Sequence, residues 1–336
     1  MLYSAMAPLP SPHAPPSPAP ELQWREASAA DFPRLAAFLS AAHPESPVGV
    51  GDLQRRASER EPGEPHRLQM ALRGDDIVGL AETGVPRLDG HSGWLEITLR
   101  TRPTGGSGPL AQELLALAEA HAQELGARTL ISRVREDWWE HAFLLTHGYA
   151  EHDRMWTSTL DLRTLDFARF VPQQARTTAA GVQVVSLAAL GTFDEAQQRR
   201  FYGLVAALLA DVPSATPVSV WPFEVWQRRA GQRMQPEGVF LAVAPDGAWV
   251  GLSELYRPSA THPDTLHNGL TGVLPPWRGL GLAYTLKLAA ARAALQRGFT
   301  HSRTGNHSVN RPMLAVNERL GFVRGPALVT LRREVR

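Results

Sequence analysis

The sequence predicts an α/β fold of the mixed (α+β) kind, made twice along one chain. Each copy would be a central mixed sheet with helices on both faces. Three observations predict it. Strand-like and helix-like segments follow one order in both halves, strand–helix–helix–strands–helix–strand–helix–strand. Spacings recur: Pro103 to Gly148 and Pro276 to Gly321 are both 45 residues, and Gly108 to Gly148 and Gly281 to Gly321 are both 40. Finally, Val78-Gly-Leu-Ala-Glu82 and Val250-Gly-Leu-Ser-Glu254 match at an offset of 172.

The first twenty residues, ending Pro-His-Ala-Pro-Pro-Ser-Pro-Ala-Pro20, read as a disordered proline-rich tail without the basic start and apolar centre of a signal peptide. A first copy spans 21–162. Leu22–Ser28 reads as a strand, and Ala29–Ala42 as an amphipathic helix with Phe32, Leu35, Ala36 and Leu39 on one face. A second helix from about Gly51 to Arg60 is stopped by Pro62 and Gly63. Strands follow at His66–Arg73, Ile77–Pro86 and Gly93–Arg100. A Gly-rich loop, Arg102 to Pro109, opens a Leu/Ala helix ending at Gly126. Thr129–Arg135 is a strand, Trp138–Thr146 a helix and Tyr149–Leu162 a closing strand. Residues 163–181 lack periodicity and read as a linker. The order restarts at 182–336, with strand Val182–Leu187, helices Asp194–Ala210 and Pro222–Arg229, and a hairpin of Val239–Ala244 with Trp249–Tyr256. Strand Thr265–Leu274 comes next.

That strand feeds Thr271-Gly-Val-Leu-Pro-Pro-Trp-Arg278-Gly279-Leu-Gly281-Leu-Ala283, a tight Gly-rich turn that opens a helix from about Leu280 to Arg297, with Gly298 as its C-cap. The first turn of a helix offers N–H groups without intrahelical partners and the positive end of the helix dipole. Glycines at 279 and 281 bare those donors and Arg278 adds charge, so the turn suits a phosphate. Asn306 and Asn310 sit at the next strand-to-helix join, followed by Met313, Asn317 and Leu320-Gly-Phe322.

The ordered set Arg278-x-x-Gly281-x-Ala283, Asn310-x-x-Met313 and Leu-Gly-Phe322 resembles the GNAT superfamily of acyl-CoA-dependent N-acetyltransferases. It covers 182–336 well and 22–162 in outline. The tandem layout is similar to mycothiol synthase architecture, whose acceptor is a cysteinyl-sugar amine, a likeness that says little about substrate. The resemblance implies two parallel central strands that splay apart, with acyl-CoA in the gap. Thr271 and Val273 would present backbone groups to the pantetheine, and the Val273 N–H would polarise the thioester carbonyl. Gly279, Gly281, Leu282 and Ala283 would donate to the pyrophosphate beside Arg278, and Asn310 would hold the cofactor arm or cap its helix. Acetyl-CoA is thus the expected acyl donor, with no metal.

The attacking amine must lose a proton. His267 and Glu254 are the candidate bases, each on a strand beside the gap. Many family members carry a tyrosine four residues before the closing glycine as acid; here Asn317 stands there, and an amide donates a hydrogen bond but no proton. Tyr284 is the other candidate acid, or a packing aromatic. Trp221, Phe223 and Trp226 would either cover the acceptor site or pack helices. In the first half Gly105 replaces Arg278 and Leu110 replaces Ala283, so that copy reads as a degenerate scaffold and 182–336 as the catalytic one.

With 336 residues, 43% of them apolar and 20% charged, the chain has material for two cores. A net charge of +1 gives no case for nucleic acid or an anionic membrane, and no apolar run is long enough to span a bilayer. Zero cysteines exclude disulfides and a thiol nucleophile and fit a cytoplasmic location. The expected partner is a small-molecule primary amine, acetylated by direct attack in a monomer or homodimer. A non-catalytic acyl-CoA-binding or sensory protein is the alternative.

Overall fold

The structure, a computed structural model, describes residues 21–86, 92–102, 108–213, 220–231, 234–256 and 262–335. The first half contains strands β1 (Leu22–Glu26), β2 (His66–Arg73), β3 (Asp76–Gly84), β4 (Trp94–Thr101), β5 (Thr129–Arg135) and β6 (Ala150–Asp161). Its helices are α1 (Phe32–Ala42), α2 (Val50–Ser58), α3 (Pro109–Glu124) and α4 (Trp139–Thr146). Helix α5 (Val171–Ala179) lies in the segment read as a linker. The second half has β7 (Gln183–Ser186), α6 (Glu195–Ala210), α7 (Phe223–Arg229), β8 (Val239–Val243), β9 (Trp249–Tyr256) and β10 (Thr265–Val273). It closes with α8 (Leu282–Gln296), β11 (His301–His307), α9 (Arg311–Leu320), β12 (Val323–Arg324) and β13 (Leu328–Glu334). The tail at 1–20, Gly105 and much of the 213–217 loop lie outside the described residues.

The strands form one mixed sheet in the order β1-β2-β3-β4-β5-β13-β6-β11-β10-β9-β8-β7, with β12 beside β6. Neighbouring residues on one strand pack on different helices, which puts helices on both faces. Leu80 joins the α1 core while Ala81 joins the α3 core. Likewise Leu241 packs with α6 and α7, and Ala242 with α8.

Each half ends in a strand that the other half uses. β13 pairs antiparallel with β5 from Leu328↔Arg135 to Glu334↔Thr129, and its Val329 and Leu331 are buried in the α3 core. β6 runs on from β13 to pair with β11, from Met155↔His307 to Asp161↔His301, and its Leu160 is buried in the α8 core. The exchange covers the sheet edges that two separate halves would expose.

Two pairs of parallel strands part company in mid-sheet. β10 and β11 are in register only at Thr265–His267 with His301–Arg303, and β4 and β5 only at Trp94–Glu96 with Thr129–Ile131. A register shift between Asn268 and Thr271 in the β10–β9 ladder turns β10 away from β11. Each parting leaves a gap in its half.

Candidate active site

In the second half the gap is a cleft of about 370 Å³. Its walls are Leu270–Val273 of β10, the Trp277–Tyr284 turn, the start of α9, the end of α6 and Arg176 of α5. All eight residues expected at the donor, Thr271, Val273, Arg278, Gly279, Gly281, Leu282, Ala283 and Asn310, line this one cleft.

Backbone alternation explains what β10 offers. Leu274 donates its N–H to Val250 O on β9 at 2.9 Å. Successive N–H groups of a strand point to opposite edges, so those of Val273 and Thr271 point away from β9, into the space β11 has left. The turn supplies more donors. The N–H groups of Gly279, Leu280 and Gly281 find no backbone acceptor among the described residues. They lead straight into the first turn of α8, where N–H groups also lack partners.

The two glycines serve different ends. Both have positive φ, +80° at Gly279 and +81° at Gly281. Space around the missing Gly279 side chain is open, as a site for a ligand requires. At Gly281 a Cβ would lie 2.4 Å from the Gln173 carbonyl oxygen. Close packing by α5, along with anion access, therefore demands the second glycine. Thr177 fastens this contact, its hydroxyl bonding Leu280 O at 3.0 Å and Thr285 Oγ1 at 2.9 Å.

Arg278 lines the cleft but is engaged: its Nε donates to Val273 O at 3.0 Å and its guanidinium pairs with Asp211 of the α6 end. Arg176 is exposed at the rim with no ion-pair partner among the described residues. Sequence reasoning missed it because α5 buries polar Gln173 and Thr177 rather than an apolar stripe. Asn310 caps α9, its Oδ1 accepting from Met313 N at 3.3 Å.

The candidate proton acceptors sit elsewhere. Leu255 and Leu266 pack on α8, so Glu254, Tyr256 and His267 face the opposite side of the sheet. Glu254 is 7% exposed; its Oε2 accepts from Tyr256 OH at 2.7 Å and from Leu270 N, within the register shift, at 3.3 Å. Burial raises its pKa above the usual carboxylate value. His267 stands opposite Tyr256, the rings 6.3 Å apart. Water reaches its edge, yet desolvation by the surrounding wall, then the charges of Arg303 and Lys287, hold its pKa down. Neither group lines the cleft itself.

Asn317 is 1% exposed and off the cleft; its amide donates to Asn306 Oδ1 at 2.6 Å, and its own buried Oδ1 has no partner among the described residues. Tyr284 lines the cleft and stacks on Phe170 at 5.4 Å. Phe223 and Trp226 are buried against Phe201 of α6, and Trp221 O accepts from Tyr202 OH at 2.8 Å. Those aromatics are packing, as the plainer reading of the sequence had it.

A second unforeseen group is Lys287, 5% exposed in the Leu286-Lys287-Leu288 stretch of α8. It donates to Asn268 Oδ1, whose amide bonds Ser253 Oγ at 3.1 Å, and Ser253 bonds Thr271 Oγ1 at 2.9 Å. A polar chain thus runs under the register shift to the cleft wall. Burial pushes the lysine pKa down to about 7. A lysine within an apolar helix face was the available signal.

The first half differs: beside its parting strands lies a cleft of about 540 Å³, lined by Thr98 and Arg100 of β4, Arg133 of β5, His43 and Trp138. At the repeat offset set by Gly148 and Gly321, Arg100 stands where Val273 does and Glu140 where Met313 does. Glu140 is fully buried, its Oε1 3.3 Å from Arg100 Nη1 and 2.8 Å from His43 Nε2. Arg100 lies 4.9 Å over the Trp138 ring, which stacks on His43 at 3.8 Å.

Comparison with known proteins agrees with this geometry. Residues 206–322 match the acetyltransferase (GNAT) family. The fold is similar to a GCN5-related N-acetyltransferase from Sphaerobacter thermophilus, with a TM-score of 0.70 and 18% identity over 94% of this chain and 96% of that one. It is also similar to a tandem GNAT protein from the clavulanic acid biosynthesis pathway, at 0.69 and 20% over 94% and 98%. A glucosamine N-acetyltransferase region of a fungal multi-domain GH3 β-N-acetylglucosaminidase gives 0.68 and 14% over 95% of this chain and 38% of that one. No curated protein sequence matches. The family match falls within the second half, and the chain as a whole has the tandem GNAT fold. Among the described residues no helix is long and apolar enough to cross a membrane.

Proposed function

We propose that the protein moves an acetyl group from acetyl-CoA to a primary amine of a small molecule by direct attack, in the second-half cleft. One observation carries the reading: unpartnered N–H groups at Gly279–Gly281 open a cleft into which Val273 turns a further N–H between parting strands. The turn suits a pyrophosphate. The Val273 N–H would stabilise the oxygen that gains charge as the amine attacks the thioester carbonyl. Glu254, with its raised pKa, would take the amine proton, directly or through water, and Tyr256 would hold it in place. A thiol titrates near 8.5 when free, so the thiolate leaves with little protonation.

On this reading the first half takes no donor, because an ion pair of Arg100 and Glu140 stands where the second half has Val273 and Met313 on the cleft wall. The alternative, a non-catalytic acyl-CoA sensor, draws support from Asn317, which is no acid and is turned away from the cleft. Acetyl-CoA turnover with an amine panel, read as free thiol, decides between them. Thiol release above the hydrolysis background supports transfer; tight binding without release supports the sensor.

A further inference from the structure

Arg303 sits in β11 beside His267 of β10, the two being register partners. Its neighbours Ser302 and Thr304 turn toward α8, Ser302 beside Lys287 and Thr304 bonding Asn268 O at 3.0 Å. Arg303 therefore projects to the opposite face, the one that carries Glu254, Tyr256 and His267. The side chain is half-buried, and among the described residues no carboxylate, carbonyl or aromatic ring partners it. Other basic side chains of this region have carboxylate partners of their own. Arg135 forks onto Asp137 at 3.0 and 2.7 Å, His301 faces Asp264 at 3.4 Å and His307 faces Asp153 at 2.7 Å. Burial and then the charge of Arg135 push the Arg303 pKa down. A partly dehydrated guanidinium beside a second cation, with no counter-charge, is unfavourable until an anion arrives. Carboxylate and phosphate match its planar fork.

We propose that the acceptor amine carries an anionic group, a carboxylate or a phosphate, that docks on Arg303. The inference rests on the acyl-transfer reading and names its substrate class. From His267 to Val273, whose N–H faces the thioester carbonyl, the strand advances roughly 20 Å, a span shared between the long Arg303 side chain and the acceptor, so the anion lies several bonds from the reacting nitrogen. An α-amino acid is too short; an ω-amino acid or an aminoalkyl or amino-sugar phosphate fits.

Matched pairs test it: 4-aminobutyrate against butylamine, 2-aminoethyl phosphate against ethanolamine, and glucosamine 6-phosphate against glucosamine. Wild type should favour the anionic member of at least one pair ten-fold or more in kcat/KM, and which pair responds separates carboxylate from phosphate. In Arg303→Ala that ratio should fall to near one, the loss appearing in KM for the anionic member. Thermal melting should be at or above wild type, since no ion pair is lost. A ratio untouched by the substitution, or absent from wild type, overturns the proposal. Should wild type turn over no amine at all, the transfer reading falls, and calorimetry then tests the subsite alone. Binding of 4-aminobutyrate or 2-aminoethyl phosphate to CoA-saturated protein that Arg303→Ala abolishes supports the anion site; no binding, or binding indifferent to residue 303, overturns it.

Discussion

Gly281→Ala should destabilise the protein by about 2–5 kcal/mol, against about 1–2 kcal/mol for Gly279→Ala, although the two glycines share nearly the same backbone conformation. The common part is the left-handed φ, which costs a residue with a Cβ roughly 1–2 kcal/mol. The difference comes from packing. A methyl at 279 meets open space, whereas one at 281 would sit 2.4 Å from Gln173 O, so α5 must retreat by about an ångström to reach ordinary contact. Retreat strains the Thr177 bonds to Leu280 and Thr285, each contributing about 1 kcal/mol. It also carries Arg176 off the rim, so acetyl-CoA affinity should fall further in the 281 variant. Urea unfolding followed by circular dichroism gives the stabilities, and calorimetry the affinities. If the two variants lose equal stability, the claim that α5 packing fixes Gly281 is wrong.

Glu254→Gln should cut kcat by about 10²–10⁴ with little change in KM for acetyl-CoA, and should remove the rise of kcat with pH through the elevated carboxyl range; a small effect would move the base elsewhere. Arg176→Ala should weaken acetyl-CoA about ten-fold, the loss shrinking as salt rises, because a rim charge is screened; equal loss at all salt concentrations would argue against a phosphate contact. Lys287 has a folded pKa near 7 against an unfolded value of 10.5, so the unfolded chain binds the extra proton between these limits. Stability should therefore rise from pH 7 toward 10.5, by an amount on the order of 5 kcal/mol for this group, and level off below 7, where both states hold the proton. Denaturant melts across this range should show the rise in wild type and a flattened curve in Lys287→Met.

Much of this was legible in the residues because the signals are local. The α8 segment Leu282–Gln296 is nearly all strong helix formers, and Gly298, at φ +83°, ends it as a C-cap glycine does. Alternation marks β4, whose Leu95, Ile97 and Leu99 face the core. The Gly279–Ala283 turn and Asn310, which line one cleft, could be grouped from the sequence because backbone donors follow directly from glycine and cap positions.

What was not legible depends on partners far away in the chain. β6 and β13 have ordinary strand patterns that carry no mark of crossing between halves, since alternation specifies a face and not a neighbour. Helix α5 was hidden because its buried residues, Gln173 and Thr177, are polar, and Thr177 is satisfied by the backbone of a turn a hundred residues on. Arg278 was read correctly as lining the turn, but its pairing with Asp211 across the cleft left no trace in spacing. In the first half the Arg100–Glu140 contact joins residues forty apart and required the fold.

The central claim is that the second half alone holds the donor, the first presenting Arg100 and Glu140 where the second has Val273 and Met313. Isothermal titration of the full chain with acetyl-CoA measures this most directly. The account predicts one molecule bound per chain, abolished by a bulky substitution such as Ala283→Trp on the cleft wall and retained in Glu140→Gln. Two molecules per chain, or one that survives Ala283→Trp, would contradict it.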